Sequence, residues 1–275
     1  MDQPIPADPA ALAPPVAKPR ANGSLIGFFI KLAIAALLVR TLALAPFSIP
    51  SESMLPRLLI GDFLVVSKWP YGWSRYSLPF AHPPIAGRVL ARLPARGDVV
   101  VFKAPPNNDE DYIKRVIGLP GDTVQLRGGQ VILNGVAVPR QRIGDFVIAA
   151  SPNYDCSDDY AEQRGRGRLC RYAQYREVLP GGRSYRVLDR GATVADDTAL
   201  FTVPPGHLFM LGDNRDDSAD SRFPAIAGQG IGFVPVDNVE GRAERLFFAT
   251  DGSAHWLKPW TWFTATRWQR IGGGF

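Results

Sequence analysis

The sequence predicts a mostly β protein preceded by one membrane-length helix. Three observations carry this. One apolar run, LIGFFIKLAIAALLVRTLALAPF, occupies residues 25 to 47. After it, short β-rich runs such as FLVVSKW, GDVVVFKAP, SYRVLDR and HLFMLGDN recur between turn formers. The chain also holds 25 prolines and 27 glycines in 275 residues, which favours many turns over a helical bundle.

Taken in order, residues 1–23 are rich in Pro and Ala and lack large apolar side chains, so they predict a disordered tail. Residues 24–46 predict a transmembrane helix, with Lys31 and Arg40 near its ends where they can snorkel. Lys18 and Arg20 before it favour a cytoplasmic N-terminus and an exported body. A competing reading takes Ala43-Leu44-Ala45 as the end of a cleavable signal. Pro46 just after it, and the length of the run, favour an uncleaved anchor.

Within the body, Asn134-Gly135 between VIL and VAV predicts a tight hairpin. GLPGD, residues 118–122, reads as a turn and not as a nucleotide loop. The last stretch, 251–275, carries Trp256, Trp260, Trp262 and Trp268 among Lys258, Arg267 and Arg270. That mixture suits a lipid headgroup layer, with core packing as the alternative. Tyr71–Leu90 is a second candidate for a membrane-facing loop.

Composition narrows the function classes. Net charge is +5, from 31 basic and 26 acidic residues that are dispersed along the chain. This argues against nucleic-acid binding and suits a surface facing anionic lipid. The two cysteines, Cys156 and Cys170, are spaced for a closable disulfide loop. A metal site would need more ligands, and His82, His207 and His255 form no zinc pattern.

Three segments hold candidate chemistry. APFSIPSESMLPRLLIGDFLVV, residues 45–66, sets Ser51 and Ser53 in a proline-stiffened turn just after the apolar run. A serine nucleophile needs a base, and neither a histidine motif nor GxSxG is present. A lysine with a depressed pKa can serve instead. Lys114 in DYIKRVIGLPGD has Tyr112, Ile113, Val116 and Ile117 around it, although alternation also allows a solvent-facing strand lysine. The third segment, GHLFMLGDNRDDSADSRF, residues 206–223, is either an ordinary polar loop or the scaffold of an active-site lysine.

In this order the segments resemble the type I bacterial signal peptidases, which are membrane-bound Ser-Lys serine proteases. The resemblance rests on Ser51–Pro56, Gly97–Phe102, Tyr112–Asp122 and Gly212–Arg222, and covers residues 25 to 248. It implies a catalytic β domain, 47–124 and 201–250, with a smaller inserted β cap subdomain, 125–200. It further implies Ser53 as nucleophile, Lys114 as general base, and Ser51 with the Ser53 amide as oxyanion hole. Ser218 would orient Lys114, Asp220 and Arg222 would pair, and Asp213 and Arg215 would steady the same loop. Phe47, Ile49, Met54, Tyr112 and Ile113 would neighbour or line small substrate pockets.

The resemblance implies cleavage of signal peptides from exported preproteins after a small residue at −1, with no cofactor or metal. The partners it implies are signal peptides, membrane lipid and, nearby, the protein-export channel. It places the protein in the bacterial inner membrane with its catalytic domain periplasmic. A structural Cys156–Cys170 disulfide suits that location. Glu52 stands where the family often has glycine, Arg57 where it has threonine, and the chain after Arg222 is longer than usual. The rival readings are a pilin or conjugation-type Ser-Lys peptidase, a self-cleaving repressor of the DNA-damage response, and a non-catalytic, membrane-anchored β-rich binding protein.

Overall fold

The computed structural model describes residues 25–78, 85–165, 167–255 and 257–275. The expected disordered tail, and residues 79–84 of the Tyr71–Leu90 segment, lie outside them.

The apolar run folds as α1 (Leu25–Leu42), and none of its side chains is buried. Eighteen residues rise about 27 Å, close to the hydrocarbon thickness of a bilayer. It is long and apolar enough to cross a membrane, which makes it a candidate anchor. The helix ends before the expected residue 46. From Leu44 the chain is already β1 (Leu44–Ser48). Pro46 explains the change: it has no amide hydrogen for a helix and biases Ala45 toward extended backbone. A strand at a sheet edge accepts it.

Strand β2 (Asp62–Ser67) follows the serine loop, and β3 (Trp73–Ser74) pairs with β4 (Arg88–Val89). Next come β5 (Val99–Lys103) and β6 (Asp111–Gly118), then β7 (Thr123–Arg127), β8 (Gln130–Leu133) and β9 (Val136–Ala137). Then follow the long β10 (Arg140–Ala149), the short β11 (Ala161–Arg164), the long β12 (Gly167–Val178) and β13 (Ser184–Leu188). The chain returns through β14 (Phe201–Thr202), β15 (His207–Leu211), β16 (Val234–Pro235) and β17 (Val239–Ala249), and then makes the short α2 (Thr261–Ala265).

The main sheet has the order β1-β2-β17-β5-β6-β15-β16. A second sheet runs β14-β7-β8-β9, and a third is β10-β12-β11 with β13 on the other part of β12. The β8–β9 loop is Asn134-Gly135, both at positive φ (52° and 77°), the backbone that a two-residue hairpin requires.

The inserted part is less separate than a distinct subdomain would be. The expected boundary after residue 124 falls inside β7, and β14 pairs back onto β7. One core cluster joins Ile117, Phe209 and Leu211 of the main sheet to Val124, Leu126, Val131, Tyr185 and Val187. The region from Leu38 onward forms one compact unit. Cys156 and Cys170 are disulfide-bonded (S–S 2.09 Å), and pack in a cluster with Tyr154, Tyr172, Leu55 and Leu59.

The C-terminal stretch is pinned to the body by its arginines. Arg270 Nε donates to Asp62 Oδ1 (3.0 Å), and Arg267 Nη1 donates to the Ile60 carbonyl (2.9 Å). These two cations therefore tie the stretch to the body. Trp260, Phe263 and Trp268 remain exposed, with Phe263 and Trp268 stacked on each other.

Candidate active site

Ser53 stands in the loop between β1 and β2. Its turn is fixed by Leu55 N–H to the Glu52 carbonyl (2.9 Å) and Leu58 N–H to the Met54 carbonyl (2.9 Å). The apolar side chains after the serine anchor the loop: Met54, Leu55 and Leu58 have no exposure at all. Asn214 holds it from the other side, donating from its backbone to the Ser53 carbonyl (3.1 Å) and from Nδ2 to the Glu52 carbonyl (3.2 Å).

Lys114 is on β6, opposite Val100 of β5. It is 3% exposed, which excludes the solvent-facing reading. Its Nζ lies 2.6 Å from Ser53 Oγ, and Ser51 Oγ lies 3.4 Å from the same atom. Burial pulls the Lys114 amine down from 10.5 to about 8, while Asp220, Asp213 and Asp217 pull it back upward. Desolvation wins because no carboxylate forms a salt bridge with Nζ among the described residues. The amine is then partly neutral near neutral pH, with a lone pair available to a hydroxyl proton.

The last motif takes part in three separate buried ion pairs. Arg222 grips Asp220 with two arms, Nε to Oδ1 and Nη2 to Oδ2, each 2.9 Å. Asp213 and Arg215 do not pair with each other. Arg115, the residue after Lys114, holds Asp213 through Nε (2.7 Å) and Nη2 (2.6 Å). Arg215 instead reaches Glu177 of β12, Nη1 to Oε1 at 2.9 Å, and Tyr185 donates to the same carboxylate (2.7 Å). Arg115 and Glu177 were not singled out from the sequence.

One expectation needs correction. Ser218 lies beside Gly212, yet its buried Oγ has no hydrogen-bond partner among the described residues, so the expected bond to Lys114 is not formed. The amine is directed to Ser53 Oγ instead. Met54 neighbours the cleft without opening onto it: it is fully buried in a cluster with Leu58, Val99, Val101 and Ile113.

The cleft itself is a cavity of about 1090 Å³. Ser51, Ser53 and Lys114 open onto it, as do Phe47, Ile49, Tyr112 and Ile113. Two strand edges run along it. β1 ends the main sheet, and β15 pairs with β6 only from Arg115 onward, leaving one edge of Asp111–Lys114 without a strand partner among the described residues.

Known proteins share this arrangement of sequence. A signal peptidase I of Rickettsia typhi is 37% identical over 224 residues, 78% of this chain and 76% of its own. That of Rickettsia massiliae is 36% identical over 233 residues, 82% and 79% of the two chains. A crystal structure of a signal peptidase I from Enterococcus faecalis matches 55% of this chain and 97% of its own at 28% identity, with a TM-score of 0.28. The profile of "Signal peptidase, peptidase S26" matches residues 23–248, a span that takes in the serine loop, β6 and the last motif. By that match and those identities, this chain belongs to the signal peptidase family, peptidase S26, and is an enzyme of that class.

Proposed function

We propose that the protein is a membrane-bound endopeptidase that removes signal peptides with Ser53 as nucleophile and Lys114 as general base. The observation that carries this reading is the 2.6 Å approach of a buried lysine amine to a loop serine.

The neutral Lys114 amine takes the Ser53 hydroxyl proton as Oγ attacks the scissile carbonyl carbon. Negative charge gathers on the carbonyl oxygen, where the Ser51 hydroxyl and the Ser53 amide stabilise it. The Lys114 ammonium then protonates the leaving nitrogen, the C–N bond breaks, and an acyl-enzyme remains. Lys114 next takes a proton from water, whose oxygen attacks the ester and frees Ser53.

The substrate enters as an extended strand against the open edges of β1 and β6, where backbone hydrogen bonds supply affinity. Along such a strand alternate side chains face the same wall. That wall is Phe47, Ile49, Tyr112 and Ile113, so positions −1 and −3 accept only small side chains. Such a preference matches the Ala-x-Ala ends of exported precursors. With α1 as anchor and a cytoplasmic N-terminus, the site works on the far side of the inner membrane, beside the export channel and the lipid surface.

The test is cleavage of an Ala-x-Ala preprotein in detergent and lipid by the intact chain, Ser53→Ala and Lys114→Met. Cutting after the −1 alanine by the intact chain alone supports the mechanism. Retained cutting by Ser53→Ala at the same site and rate sinks it.

A further inference from the structure

The cleft lining is mixed around Ser53. Phe47, Ile49, Tyr112 and Ile113 form its apolar wall, which takes the acyl half of the substrate, while Lys103, Glu110, Asp111 and Glu240 add charged groups to it. The leaving half must pass Ser53 away from that apolar wall. Beside the serine are Glu52, between the two serines, and Asp217, from the last motif, both lining the same cavity as Ser53 and Lys114.

Arg190, which follows β13, links these two carboxylates. Its Nη2 is 3.4 Å from Glu52 Oε2 and 3.3 Å from Asp217 Oδ2, and its backbone N–H donates to Asp216. The guanidinium lies over the Tyr172 ring, 4.9 Å from its centre, which holds it in place. The guanidinium thus faces the carboxylates of Glu52 and Asp217, two negative charges against one positive, while Asp216 is held by the Arg190 backbone. Burial, and next the nearby Asp217, push the Glu52 carboxyl above its ordinary value, as expected for like charges held together.

We propose that Glu52 and Asp217 set specificity on the leaving side of the cleft: they favour a basic residue and disfavour an acidic one in the first two positions of the mature chain. This rests on the Ser53–Lys114 reading above. The same field attracts the new N-terminal ammonium once the C–N bond has broken. Fixed charges lining a cleft act on a charged substrate in this way, and salt weakens them.

The experiment uses the full chain in non-ionic detergent with three preproteins that carry Lys, Ala or Asp as the second residue of the mature part. The expected order of kcat/KM is Lys, Ala, Asp, with a Lys-to-Asp ratio of about tenfold at low salt. The ratio should fall toward one as salt rises to about 0.5 M. Glu52→Gln should lower it and Arg190→Met should raise it. Equal kcat/KM for the three substrates, with the Ala substrate cut normally, overturns this proposal and leaves the Ser53–Lys114 reading standing. A Lys preference that both salt and Glu52→Gln leave unchanged also overturns it. Failure of the intact chain to cut the Ala substrate at all overturns both.

Discussion

Arg215 and Glu177 meet in a two-armed ion pair, at 2.9 Å and 2.5 Å, with 3% and 0% of their side chains exposed. The pair joins the last motif to the third sheet, and Tyr185 completes the carboxylate's bonding. Removing one partner leaves a buried charge uncompensated. Glu177→Gln should therefore destabilise the fold by about 3–5 kcal/mol, seen as a thermal midpoint about 10 °C lower. The double variant Glu177→Met with Arg215→Met should recover much of that loss, because replacing both members of a buried pair is often near neutral.

The Lys114 amine, lowered by burial to about 8, sets a pH profile. As the proposed base it must be neutral to act, so kcat/KM should fall about tenfold per pH unit below about 8 and level off above it. The measurement is a pH–rate series on a peptide substrate without titratable groups. A flat profile from pH 6 to 9 would show that a different group limits the reaction.

The same burial carries a cost in stability. The folded state prefers the neutral amine, so below about pH 8 it pays for holding the ammonium in place. From an ordinary value of 10.5 to about 8, this amounts to about 3 kcal/mol. The unfolded chain binds the extra proton between those two values, so the penalty shrinks as pH rises from 8 and is gone above 10.5. Lys114→Met should accordingly melt several degrees higher than the parent at pH 6–7, and lose that advantage by about pH 10. Denaturation at both pH values checks this directly.

Gly212 has no room for a side chain. A Cβ there would come within 2.2 Å of Ser218 Oγ and 2.6 Å of the Ser53 carbonyl oxygen. Gly212→Ala should displace the serine loop and lower kcat/KM about 100-fold. Far-ultraviolet circular dichroism should stay near that of the parent, since the sheets are not touched.

The main features of the fold were legible because they depend on local chemistry. β-Branched runs marked β5 and β6, and Asn134-Gly135 marked the β8–β9 turn. The end of α1 was misjudged because the apolar run continues past Leu42 into β1, and only Pro46 signals the change. Lys114 and Arg115 were adjacent in the sequence, but their different tasks depend on which face each occupies. β6 is buried on both faces from Ile113 to Gly118, so alternation could not sort them. Glu177 looks like any strand glutamate on β12, and its partner lies 38 residues on. The Ser218 contact could not be foreseen, because it depends on how closely Gly212 lets the loop approach β15.

The serine loop inserts successive side chains into two different hydrophobic clusters. Met54 and Leu58 pack with Val99, Val101 and Ile113, whereas Leu55 and Leu59 pack with Cys170, Tyr172 and Leu188. Ser53 is thus riveted at the seam between them, and neither side alone fixes its position. A chain in which only one cluster has condensed has no aligned nucleophile. On the reading proposed above, cleavage then begins only once both clusters have condensed around the loop.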